Sequence, residues 1–193
     1  MSAAGEIRLG MEAMSGAMAL HLLGILCAHE GRYEEAEEAF LRAVEADPEM
    51  AGSYVELGLV YACRGEYGKM LGALARAAED LPGGVRAYLM ERPLGGLTPA
   101  GSRAAPGRAP DDLEHDGAGT HALLTSATSL LGEGRDGEAA VMLEQSLEGK
   151  PAGRPAVTAV LALTYLLRGE NVEADGAGVR RVPAAADGSA RDR

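Results

Sequence analysis

Residues 17–50 read AMALHLLGILCAHEGRYEEAEEAFLRAVEADPEM, and residues 51–84 read AGSYVELGLVYACRGEYGKMLGALARAAEDLPGG. Laid over one another at a spacing of 34 residues, the two need no gap. Leu20 meets Tyr54, Leu23 meets Leu57, Gly24 meets Gly58 and Cys27 meets Tyr61. Further on, Gly31 meets Gly65, Phe40 meets Leu74, Ala43 meets Ala77, and Pro48 meets Pro82. A fixed period of this size is the signature of a helical solenoid, in which each unit buries its apolar face only against its neighbours.

The spacing within a unit predicts helix, turn, helix. Large apolar residues at the fourth, seventh and eleventh places form one stripe of a first helix. The glycine at the eighth place, Gly24 or Gly58, removes a side chain where two helices approach closely. Gly31 and Gly65 fall where that helix ends, because glycine takes the left-handed conformation of a helix stop. A second helix then carries Ala36, Phe40 and Ala43 on one face and Glu34, Glu35, Glu37 and Glu38 largely on the other. Pro48 and Pro82 close it, since proline disfavours helix in the residue before it.

Leu20, Leu23, Gly24 and Cys27 with Ala36, Phe40, Ala43 and Pro48 resemble the tetratricopeptide repeat pattern. Tyr54, Leu57, Gly58, Tyr61, Leu74, Ala77 and Pro82 repeat the resemblance, with Met70 standing where a small residue is usual. A third copy runs through Leu123, Ser126, Ala127, Leu130, Gly134, Ala139, Leu143, Ser146 and Pro151. A fourth starts near Pro155, with Leu161, Ala162, Tyr165, Gly169 and Ala174, and breaks off inside its second helix. The resemblance implies an all-α, tetratricopeptide-like solenoid of about four helix-turn-helix repeats in two lobes. It covers roughly two thirds of the chain.

The division expected along the chain follows from composition. Residues 1–16 form a leading segment, with a short helix from Glu6 to Met14 as a cap. Residues 17–92 form the first lobe, two repeats closed by a capping helix over residues 85–92. Residues 93–119, with Pro93, Pro99, Pro106 and Pro110 among Gly, Ala and Arg, read as a linker. Residues 120–174 form a second lobe of two weaker repeats, and residues 175–193 a disordered tail. An aromatic content of 4% without Trp gives a core of Ala, Leu, Val and Met, which suits helical layers better than a β-sandwich. A lobe of two repeats is small, since about three are wanted for a stable stack. The lobes therefore pack together, or a partner or a second copy completes them.

Charge narrows the class of function. The net charge is −11, and through Gly84 there are 14 acidic against 6 basic residues. Such a surface repels phosphates and argues against nucleic acid. The Glu34–Glu38 run reads as a solvated helix face whose acids suit the first turn. No apolar run is of membrane-spanning length, and no secretory signal opens the chain, so the expected location is cytoplasmic. Cys27 and Cys63 fall on first helices as buried or partly buried thiols, with no disulfide or metal role.

Enzymatic chemistry finds no foothold in the pattern. His21 and His29 share a helix face but stand two turns apart, about 12 Å, too far to ligate one metal together. No pair of histidines has the zincin spacing, and Gly95-Gly96 lacks the lysine and helix of a phosphate loop. Ser126, Ser129 and Ser146 have no strand-turn-helix elbow near them. The expectation is a non-catalytic protein with no cofactor and no metal.

In the arrangement that the resemblance implies, first helices line a concave groove. The groove residues carried over are His21, Ile25 and His29, then Val55, Leu59 and Cys63, then Leu124 and Thr128, then Leu163 and Leu167. Relatives that grip a terminal carboxylate carry Lys, Arg and Asn at the fifth and ninth places. His21, Ile25, Val55 and Leu59 stand there instead, so no such clamp is expected. An apolar groove fits a partner's amphipathic helix laid into it. It fits equally the chain's own leading helix or its other lobe. The reading is an adaptor or scaffold for a protein or peptide partner. Two others stay open: a self-associating scaffold that forms a homo-oligomer, and a piece of a longer repeat protein.

Overall fold

The computed structural model describes residues 3–92, 111–148, 154–175 and 178–182. Eight helices and one hairpin follow in order. They are α1 (Ala3–His29), α2 (Tyr33–Ala46), α3 (Ala51–Cys63), α4 (Tyr67–Asp80), α5 (Pro82–Glu91), α6 (Asp111–Gly132), α7 (Asp136–Leu147) and α8 (Pro155–Leu167), then β1 (Asn171–Asp175) and β2 (Gly178–Val182). Antiparallel neighbours α1–α2, α3–α4 and α6–α7 make three helix-turn-helix units, and α8 opens a fourth. The fold is an all-α tetratricopeptide-like stack with a small appended hairpin.

One helix stop recurs four times. Gly31, Gly65, Gly134 and Gly169 all take positive φ, between 71° and 77°. At the first, Gly31 N–H donates to the Ala28 carbonyl and Arg32 N–H to the Cys27 carbonyl, at 3.1 and 2.9 Å. The same crossed pair closes α3, α6 and α8, on Tyr61 and Ala62, on Leu130 and Leu131, and on Tyr165 and Leu166. This is the Schellman stop, which a side chain at the left-handed position would strain. The flanking charges alternate with it. Arg32 and Arg135 each fork between a glutamate before the glycine and one three residues on. Arg64 and Arg168 instead pair across the glycine with Glu66 and Glu170, at 2.6 and 2.8 Å.

Three boundaries differ from those read in the sequence. α1 is one rod from Ala3, with no break before Ala17, because neither a proline nor a cap interrupts it. Pro82 does not merely end α4: it sits in the first turn of α5, where its missing N–H costs nothing. α6 begins at Asp111, nine residues inside the expected linker, with Asp111 and Asp112 in its first turn, where the dipole favours acids. The rest of that linker, Pro151, and the tail beyond Val182 lie outside the described residues.

Among the described residues the fourth repeat has no second helix. β1 and β2 pair antiparallel there, with Asn171 opposite Val182 and Asp175 opposite Gly178. Val172 and Val179 turn onto the core while Glu173, exposed on the other face, pairs with Arg180 opposite it at 2.8 Å. Ala174, taken as a helix landmark, is an exposed strand residue. β-Branched Val172 before Gly176 and Gly178, and Val179 and Val182 after them, favour a hairpin over a helix.

The two lobes share one core. Phe40, Met70 and Leu74 of the first pair and Leu131, Leu143 and Leu163 of the second are fully buried in a single cluster. α8 packs on α3 and α4, and α5 packs on α6. Arg86 of α5 donates to the Leu131 carbonyl at the end of α6 and grips Asp136 at the start of α7 through two bonds of 2.8 Å.

Candidate protein-interaction surface

The first repeats are bound by residues at their close approaches. Ala36, Ala43, Leu57, Tyr61 and Ala77 are buried, and Phe40 and Leu74 lie directly over Gly24 and Gly58. Tyr61 donates to Glu37 at 2.9 Å, which ties α3 to α2. Arg64 and Lys69 close on the same carboxylate, and Lys69 also sits 5.2 Å from the centre of the Tyr61 ring. Glu37 is therefore a structural bridge rather than part of a free acidic face. Glu34, Glu35 and Glu38 remain exposed. The second lobe echoes the device: Tyr165 donates to Glu144 at 2.7 Å, with Arg181 over its ring.

Leu23 departs from its expected packing role, being 47% exposed where its equivalent Leu57 is 2% exposed. The reason is positional. Leu57 has the first repeat in front of it, whereas among the described residues no helix stands before α1. Pro48 is exposed in the turn between α2 and α3.

Among the described residues there is no open apolar groove. Ile25, Val55, Leu59, Leu124, Thr128 and Leu163 are each at most 5% exposed, and His29, Cys63 and Leu167 are half-buried. The chain's own elements cover these positions. Tyr88 of α5 reaches over Gly52 and donates to Glu56, while Ala156 at the start of α8 lines a small cavity with Ala28, Tyr33, Glu56, Leu59, Val60 and Cys63. Thr128 spends its hydroxyl on its own helix, donating to the Leu124 carbonyl at 2.7 Å.

His21 is likewise inside. Its Nδ1 lies 2.9 Å from Ser53 Oγ, and its ring meets those of Phe40 and Tyr88 at 5.7 and 5.8 Å. Burial, reinforced by the Arg92 charge, pushes its pKa down to about 4, so the ring is neutral at physiological pH. Next to it lies a group that the repeat pattern does not announce. Glu56 is fully buried; Oε1 accepts from Tyr88 and Oε2 has no partner among the described residues. Burial pushes its carboxyl up to about 7, against the opposing pull of the Tyr88 hydrogen bond and the Arg92 charge. Neither this carboxylate nor Arg86 could be found by register, because their partners lie outside the 34-residue period. Burial of a glutamate on an otherwise apolar α3 is the one signal in the sequence.

Residues 17–50 match the family model of the tetratricopeptide repeat. No curated protein and no solved structure matches the chain. The segment in that match is α1 from Ala17, α2 and the turn to α3, the same unit that the helix stops repeat. The chain thus carries a tetratricopeptide repeat within a helical-repeat fold, and such a repeat is a module of protein–protein interaction. Among the described residues no group of three or more His, Cys, Asp or Glu could hold a metal, and no helix is long and apolar enough to cross a membrane.

Proposed function

We propose that the chain is a non-catalytic adaptor or scaffold of the cytoplasm that binds a protein or peptide, an amphipathic helix fitting best. The observation that carries this reading is the fourfold helix stop around a segment matching the tetratricopeptide repeat. Two further facts support it. Its buried titratable groups, His21 and Glu56, are held by structural hydrogen bonds to Ser53 and Tyr88. Both cysteines are unpaired, as a reducing compartment requires.

The groove enters this reading in altered form. Since α5 and α8 cover its floor, a partner helix meets the half-buried rim, where His29, Cys63 and Leu167 stand. The test is capture with immobilised wild type, a His29→Glu variant and an outer-face control, Glu38→Lys. Binding of each captured protein is then reconstituted from purified components. A partner lost by His29→Glu and kept by Glu38→Lys is the expected result. Loss in Glu38→Lys alone would move the contact to the outer face of α2. If no captured protein binds when purified, the adaptor reading fails.

A further inference from the structure

Among the described residues, four of the seven large apolar side chains left exposed gather on one helix. Met18, Leu22, Leu23 and Leu26 of α1 are between 47% and 62% exposed. The repeat itself shows what such positions are for. Moved on by one period, Met18, Ala19, Leu22, Leu23 and Leu26 become Gly52, Ser53, Glu56, Leu57 and Val60, every one of them buried. Ser53 meets His21 of the repeat before it. The outer face of α1 is therefore that of an interior helix whose cover is missing among the described residues.

We propose that a second copy of the chain supplies the cover, through a twofold contact of α1 with its counterpart. Three features select this occupant. Met18, Leu22 and Leu26 lie four residues apart, a single ridge symmetric about Leu22. Crossed by an antiparallel copy, Met18 faces Leu26 of the partner subunit and Leu22 faces Leu22 of the partner subunit, as an isologous interface requires. From Ala17 to His29 there is no Asp, Glu, Lys or Arg, in a chain of net charge −11. Two acidic molecules can then meet along an exposed helix face that carries no repelling charge. Lastly, about a twofold at Leu22 residues 15–29 of the two helices overlap, a shared length of roughly 22 Å.

The test uses the full chain in sedimentation equilibrium over a micromolar concentration series. Wild type should approach twice the 19.9 kDa chain mass. Leu22→Glu sets two carboxylates against each other at the twofold and should weaken the dimer by roughly tenfold or more. Its circular dichroism should match wild type, because Leu22 is half-exposed. Leu22→Cys gives a second readout that survives poor behaviour of the charged variant: mild oxidation should link two chains covalently at that position. A monomer at every concentration overturns the proposal, as does a dimer that is indifferent to Leu22→Glu and unlinked by Leu22→Cys. Neither result bears on capture of another protein at the groove rim, so the two ideas fail separately.

Discussion

A methyl group on Gly58 would lie 2.5 Å from Cδ2 of Leu74, and one on Gly24 2.6 Å from Cε1 of Phe40. Both ring and isobutyl group are themselves fully buried, so neither can swing aside. Gly58→Leu should therefore cost on the order of 1–3 kcal/mol by overpacking, read as a lower thermal midpoint. An unchanged midpoint would contradict the close approach of α3 and α4. His21 and Glu56 give a second expectation, in pH. The folded pKa of His21 lies at about 4 against 6.5 unfolded, so the stability it gives above 6.5 is lost as pH falls towards 4. Glu56 runs the other way: from 4.5 unfolded to about 7 folded, its stability is present at low pH and lost as pH rises through that window. Between 4.5 and 6.5 the unfolded chain gains one proton at the histidine and loses one at the glutamate, and the two slopes cancel. Above that range only the Glu56 loss remains. Glu56→Gln keeps an acceptor for Tyr88 and should stabilise the fold by roughly 1–3 kcal/mol at about pH 8, and by little at about pH 5. Equal gains at both pH values would show that burial does not raise the Glu56 carboxyl and that it titrates alike in the folded and unfolded chain.

At the scale of the element, conformation rather than contact decides what a glycine is worth. Gly65 has φ +73 and open space around its Cα, while Gly72, inside α4, also has nothing within 4 Å. The same change should thus have opposite signs. Gly65→Ala forces a side chain into the left-handed stop and should cost about 1 kcal/mol. Gly72→Ala should gain roughly 0.5–1 kcal/mol by removing backbone freedom from the unfolded chain. Chemical denaturation of the two variants checks both signs. The stops were legible in the sequence because they recur at the end of an apolar stripe. Two elements were not. The opening of α6 was hidden by Gly117 and Gly119, which break the stripe without ending the helix once Asp111 and Asp112 have started it. The hairpin was hidden because its pairs, Glu173 with Arg180 and Ala174 with Val179, appear only when the chain folds back, and local alternation over five residues is too short to declare it.

In the whole molecule, the repeats of the first lobe were readable, but not what covers the positions expected to line a groove. A 34-residue period fixes which residues share a face; it carries no information on where the chain returns after a gap in the pattern. α8 comes back onto α3 and α4, and α5 reaches across to α6, so positions that line a cleft in an open solenoid become interior here. Arg86 is the hinge pin of that closure. It donates a second bond to the Leu131 carbonyl, which already accepts from Gly134 N–H in the stop of α6, and holds Asp136, an acid in the first turn of α7. Its side chain is 29% exposed and that of Asp136 13%, so the pair is screened less than a surface pair, yet not fully desolvated. Arg86→Ala would leave a mostly buried carboxylate without its partner and should lower stability on the order of 1–2 kcal/mol. Arg86→Lys should recover little of it, because an ammonium cannot present the parallel pair of donors that both Asp136 oxygens receive. Wild type, with one continuous core, should unfold in a single transition in denaturant. In Arg86→Ala the lobes lose this bond at α5, and the unfolding curves followed by helicity and by a probe in α6 should separate. A single transition at the wild-type midpoint would show that apolar contact alone joins the lobes and that the Arg86 fork adds nothing to it.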